Sequence, residues 1–156
     1  MGLGFQVLAA AEAAANGAHL DDILKIVAGV QQRIRLYAML DTLEYIRRSG
    51  RVSWARARLG EILRIKPFIE LKNGHVFSLG EARTYQKGIS RLYEHLANLG
   101  PIERLAILHT NAEEQARQFI ARLEINIPDP ILIVNVTTII GTHVGPNGIG
   151  FTAVLA

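Results

Sequence analysis

The chain contains no cysteine. That excludes a disulfide framework, a thiolate metal centre and a cysteine nucleophile, and it fits a reducing compartment, so a cytoplasmic location is expected. Charge of one sign is scarce too. Lys and Arg number 17 against 14 Asp and Glu, a net of +3, which makes no electrostatic case for nucleic acid. Aromatic residues are only 6%, and Trp54 stands alone, so no base-stacking platform is expected. Histidines 19, 75, 95, 109 and 143 form no HxH or HExxH pair, so neither a metal site nor a cofactor is expected. Membrane signals are absent as well. Residues 1–15 are apolar but lack a basic leader, the first basic residue being Lys25. The uncharged stretch 130–156 is broken by Gly141, Gly145, Pro146, Gly148 and Gly150, and reads as two interior strands around a loop rather than a membrane span.

What is present is apolar: 49% of 156 residues, which excludes a disordered chain and allows a sizeable core. A helix over residues 5–16 stops at Gly17, and a second opens at Asp21 and Asp22, with Ile23, Ile26, Val27, Val30 and Ile34 at helical spacing. Residues 35–40 read as a strand, 43–48 as a helix ending at Gly50, and 53–63 as another short helix capped by Ser53. Asn73-Gly74 between 66–71 and 75–79 is a hairpin signal, because Asn-Gly supplies both positive φ angles of a type I′ turn. A helix over 84–99 stops at Gly100-Pro101. Strand 105–108, helix 112–124 and strand 131–136 imply a parallel pair with a right-handed crossover. Asn111 and Glu114 resemble a capping box at the start of that helix. Strand 131–136 suits burial on both faces, and 148–155 supplies the last strand. The expected fold is α/β: a mixed sheet covered by helices. The two leading helices, residues 1–34, precede any strand and read as a remnant of a preceding α/β domain, with residues 35–156 as the body of this one.

Three places can carry chemistry. The glycine-rich segment 140–150 follows a buried strand, where open α/β sheets bind ligands, and His143 is its only titratable side chain. His143 there either donates to a carboxylate or phosphate, or merely braces the turn; His109 ends a strand near the same sheet edge. The basic run Arg47, Arg48, Arg51, Arg56, Arg58, Arg64 and Lys66 is either a solvated helical face or a dock for an anionic partner. Arg83, at the junction of hairpin and helix, is expected in an ion pair with Glu81 or Asp41. Histidines 19, 75 and 95 look like surface positions. No nucleophile–base or paired-carboxylate arrangement can be argued, so no catalysis is expected.

Several segments together carry a family likeness. Gly2-Leu3-Gly4, Gly17, residues 40–46, Ser49-Gly50-Arg51-Val52-Ser53, Leu59-Gly60, Ile65-Lys66-Pro67, Gly74, Arg83 and Ile140-Gly-Thr-His-Val-Gly-Pro-Asn-Gly148 occur in order along nearly the whole chain. This series resembles the DegV family, departing from its pattern at Ser49 and Asn147. The resemblance implies a two-domain protein that binds one long-chain fatty acid, such as palmitate, between its domains. It implies a carrier, not an enzyme, that presents the carboxylate to a fatty acid kinase. Thr142, His143, Gly145 and Arg83 are then the expected lipid-binding residues, and Arg83 and Arg51 the partner-binding ones. On this reading the chain is a partial member, and self-association through an exposed interdomain face is expected. The alternative is an interaction module that docks an anionic partner on the basic helix 47–66.

Overall fold

The computed structural model describes residues 1–50, 65–124 and 130–156. Two helices lead, α1 (Gly2–Ala15) and α2 (Leu20–Arg33). They are followed by β1 (Ile34–Met39), α3 (Glu44–Arg48), β2 (Lys66–Lys72), β3 (His75–Ala82) and α4 (Tyr85–Ala97). Then come β4 (Ile102–His109), α5 (Glu113–Ala121), β5 (Leu132–Asn135), α6 (Thr138–Val144) and β6 (Ile149–Leu155). The strands form one six-stranded sheet in the order β3-β2-β1-β6-β4-β5. Only β4 and β5 run parallel, with α5 as the crossover; the other neighbours are antiparallel. The expected mixed sheet covered by helices is thus what forms. The predicted helix 53–63 lies outside the described residues.

Local chemistry accounts for the element ends. The hairpin turns on Asn73 (φ 51°) and Gly74 (φ 76°), both left-handed as a type I′ turn requires. Thr84 caps α4 by accepting from the Lys87 N–H at 3.3 Å. The expected capping box at α5 does not form. Asn111 adopts φ 52°, Ala112 takes the cap position, and the Ala112 N–H donates to the His109 Nδ1 at 3.1 Å. The left-handed Asn111 cannot hold its side chain over the first turn, so the imidazole takes one of the free helix donors instead.

Strand alternation gives the sheet two unlike faces. Met39, Phe68, Leu105, Ile107, Ile149, Phe151 and Ala153 pack beneath α4 and α5 against Leu92, Leu96 and Phe119, most of them wholly buried. On the other face α1 and α2 cover only one end. There Phe5, Ala9 and Val30 pack on Ala106, Leu108 and Val154. Ion pairs fix these helices to the sheet. Arg33 bonds Glu103 and the Leu155 carbonyl, and Arg104 grips Glu12 with bonds of 3.0 and 2.5 Å. The guanidinium of Arg33 holds the Glu103 carboxyl below its usual range.

Two expectations about strands and histidines are corrected. β5 is not buried on both faces: it lies at the sheet edge, and its residues are half-buried or exposed. His95 is not a surface position, because its ring stacks on Tyr37 at 5.2 Å and 11° between planes. Burial there lowers its pKa.

Candidate functional site

The segment expected to be a loop contains a helix. Thr137 leaves β5 in an extended conformation, and α6 runs from Thr138 to Val144 before Gly145 stops it at φ 76°. The glycines that suggested a loop are accommodated differently: Gly141 lies inside the helix, and Gly145 is its terminator. At Gly145 a Cβ would come within 2.3 Å of the Tyr45 ring, so only glycine lets α6 seat on α3. Val144 packs onto the cluster of Leu40, Leu43 and Ile46. The excursion from β5 to β6 is pinned to the end of β4. Val136 donates its N–H to the His109 carbonyl, and the Thr110 hydroxyl accepts from the Gly148 N–H at 2.7 Å. Asn147 and Gly148 make two further backbone bonds with Thr110.

Between α6, α3 and the N-terminal end of α1, the second face of the sheet is uncovered. It forms a cavity of about 620 Å³. Its floor is Leu36, Ala38, Leu40, Ile69, Leu71, Leu108, Val134 and Val136; Met1, Leu3, Ile46, Ile140 and Val144 form walls. Polar side chains are few: Ser49, Thr110, Thr137 and His143 are among the lining residues. Two of these are occupied, since the Ser49 hydroxyl donates to the Ile46 carbonyl at 2.7 Å and the Thr110 hydroxyl is held by Gly148. His143 differs, because its Nδ1 is buried and has no hydrogen-bond partner among the described residues. A buried polar atom without a partner is unfavourable by about 1–3 kcal/mol, which sets His143 apart from Ser49 and Thr110 among the lining residues. Among the described residues no cluster of acidic and histidine side chains could hold a metal ion.

The other predicted site residues are placed as follows. Thr142 is exposed and is not a lining residue; its hydroxyl donates to the Thr138 and Ile139 carbonyls at 2.7 and 3.1 Å. Gly145 serves the α3–α6 contact rather than the cavity wall. Arg83 is exposed at the β3–α4 junction, away from the cavity, and has no ion pair among the described residues. Its expected partner Asp41 is bonded to Lys66 instead. Arg51 and most of the basic run lie outside the described residues. At the edges of that run Arg48 pairs with Glu44 at 2.5 Å, so part of the positive charge is already compensated. His109 borders the cavity at the end of β4, but its ring serves α5 on the opposite face.

The fold and cavity define an α/β sheet protein with a large apolar pocket and one unpartnered imidazole at its wall. The chain belongs to the DegV family: the family model, described as "Uncharacterised protein, DegV family", matches residues 1–155. It is 36% identical over 152 residues to Protein DegV of Bacillus subtilis, covering 94% of this chain and 54% of the relative. The solved structure of DegV from B. subtilis, described as a fatty acid binding protein, superposes with a TM-score of 0.80 at 34% identity. That match covers 99% of this chain and 57% of the other. A DegV family protein from Thermus thermophilus, described by its fatty acid binding, gives 0.85 at 27% identity over 99% and 57%. The chain therefore spans about half the length of the relatives it matches.

Proposed function

We propose that this chain holds the alkyl tail of a long-chain fatty acid in the cavity on its sheet, with the His143 imidazole at the carboxylate. The observation that carries this reading is the pairing of an apolar cavity of about 620 Å³ with a lining histidine, His143, whose Nδ1 has no hydrogen-bond partner among the described residues. Ligand pockets for small molecules fall at roughly 300–1,000 Å³, so the volume suits one lipid. Each buried methylene contributes about 0.8 kcal/mol, and a palmitate-length tail on the order of 10 kcal/mol before entropic losses. The tail sets affinity, while the head-group contact selects a carboxylate and fixes its direction.

The protein acts as a carrier in the cytoplasm and not as a catalyst, presenting the carboxylate to a fatty acid kinase. Arg83 and Arg51 serve that encounter, for which the exposure of Arg83 is suitable. Residues 35–156 form the body of the lipid-binding unit, and residues 1–34, whose Met1 and Leu3 wall the cavity, connect it to the remainder of a two-domain protein, which covers the open side of the cavity. Leu3 and Ile140, 73% and 49% exposed at the cavity rim, are the apolar surface such a cover would bury. The test is calorimetric titration of palmitate into the chain and into its full-length form. His143→Ala is expected to weaken binding by about 1–3 kcal/mol, the worth of a buried hydrogen bond to a charged group. Equal affinity of variant and parent removes His143 from the site.

A further inference from the structure

Where β4 turns into α5, residues 109–112 receive both ends of the α6 excursion, and the backbone donors of the turn are all taken. The Thr110 N–H donates to the Gly148 carbonyl at 3.0 Å, at the entry to β6. The Asn111 N–H donates to the Asn135 Oδ1 at 3.4 Å, at the end of β5. The Ala112 N–H, at the start of α5, has one partner among the described residues, the His109 Nδ1 at 3.1 Å. Ala112 is only 3% exposed and His109 4%, so water cannot stand in for that bond. A ring that accepts at Nδ1 is neutral and carries its proton on Nε2. The carbonyl of the same residue accepts from the Val136 N–H at 2.9 Å, which anchors the approach to α6. The next carbonyl, of Thr110, accepts from the Asn147 N–H at 2.7 Å, just beyond the end of that helix. His109 thus bonds α5 through its side chain and the α6 excursion through its backbone. Without the acceptor a buried N–H is left unpaired, the turn can satisfy it only by moving, and both anchors of α6 move with the turn.

We infer that His109 is a positioning residue for His143: its neutral ring holds the β4–α5 turn, and the turn holds the helix that carries the second imidazole. A site's geometry is fixed in this way, by side chains locked through packing and a supporting layer of hydrogen bonds. The effect on lipid rests on the carrier reading above; the effect on His143 is read without any ligand. The experiment compares the parent with His109→Asn and His109→Leu, in the present chain and in its full-length form, with thermal melts to establish folding. Asparagine places Oδ1 where the ring has Nδ1 and can still accept, whereas leucine keeps bulk without an acceptor. In H109L the ¹H–¹³C signals of the His143 ring are expected to shift or broaden in the absence of ligand. Palmitate should bind that variant about tenfold more weakly, because the Ala112 N–H is orphaned. H109N is expected to keep the parent's His143 signals and to bind palmitate within about twofold of it, since the acceptor is restored. Long-range ¹H–¹⁵N spectra of the unmutated protein should show His109 protonated at Nε2 and bare at Nδ1; this measurement and H109N decide if H109L does not fold. Parent-like His143 signals in H109L, equal disturbance in H109N and H109L, or a proton on the His109 Nδ1 each overturn the positioning role and leave the carrier reading intact. Absence of palmitate binding by the unmutated protein in both forms overturns the carrier reading, while the His143 signals and the His109 tautomer still decide the positioning role.

Discussion

The two faces of the sheet are built from the same strands but are finished differently. Under α4 and α5 the odd-numbered residues of β4 and β6 meet two amphipathic helices, and Leu92, Ile107, Phe151 and Ala153 have no exposed surface. On the opposite face the even-numbered residues meet α1 at one end and α6 at the other, with a void between them. The closed face maximises buried area and packing; the open one gives both up over the width of several strands. Leu71 stays 41% exposed there, although it has the same apolar character as the residues buried opposite. One sheet therefore separates a closed face that holds the fold together from an open face that lines the cavity.

The sharpest way to break that contrast is to truncate matched side chains on the two faces. Phe151→Ala should lower unfolding free energy by about 3–5 kcal/mol, since the closed face cannot collapse around the hole. Leu71→Ala, in the cavity floor, should change it by less than about 1 kcal/mol, because little buried contact is lost. Denaturant titration of both variants decides, and equal losses would mean that the open face is as load-sharing as the closed one. A smaller effect is expected at the seam between α3 and α6. Gly145→Ala forces a side chain into positive φ and against the Tyr45 ring, which should cost about 1–3 kcal/mol and displace α6. The chemical shifts of His143 would report that displacement.

The smallest effect is a pH dependence confined to the closed side. Burial lowers the pKa of His95, so the folded form disfavours its protonation relative to the unfolded chain. Glu70, Glu94 and Arg91 surround the ring, and Arg91 acts in the same direction as burial. Stability should therefore be full above the ordinary histidine pKa of about 6.5 and decline as pH falls from there to the lowered folded value. His95→Phe should flatten the melting temperature over that interval. A parent protein with a flat profile there would show the ring to be as well solvated folded as unfolded.

Much of the fold was legible where one short signal decides. Asn73-Gly74 defined the hairpin, Gly17 and Gly100 the ends of helices, and the sequence of strand, helix and strand after Ile102 the parallel pair. Two of the failures, at His95 and at α6, share a cause: a partner distant in sequence. His95 looked superficial because Tyr37, on which it stacks, comes from β1. α6 looked like a loop because Gly145, which ends it, is explained only by Tyr45 of α3. Asn111 looked like a cap because the competing imidazole of His109 is visible only once β4 has turned into α5. Of the candidate site, His143 could be singled out as the sole titratable group near the end of the chain. Ala38 and the other floor residues could not, because alternation along β1 shows that Leu36, Ala38 and Leu40 share a face but not that the face is left open. The register of five strands lays that floor, and no single stretch of sequence contains it.

The pinning of α6 to His109 and Thr110 has a consequence for affinity that lies outside the contacts themselves. Both ends of the excursion return to adjacent residues, His109 at the end of β4 and Thr110 just beyond it, and Gly145 locks its last turn against Tyr45. The imidazole is therefore held in place before any ligand arrives. A molecule that meets it does not also have to order the segment that carries it, an ordering that would otherwise be subtracted from its binding energy.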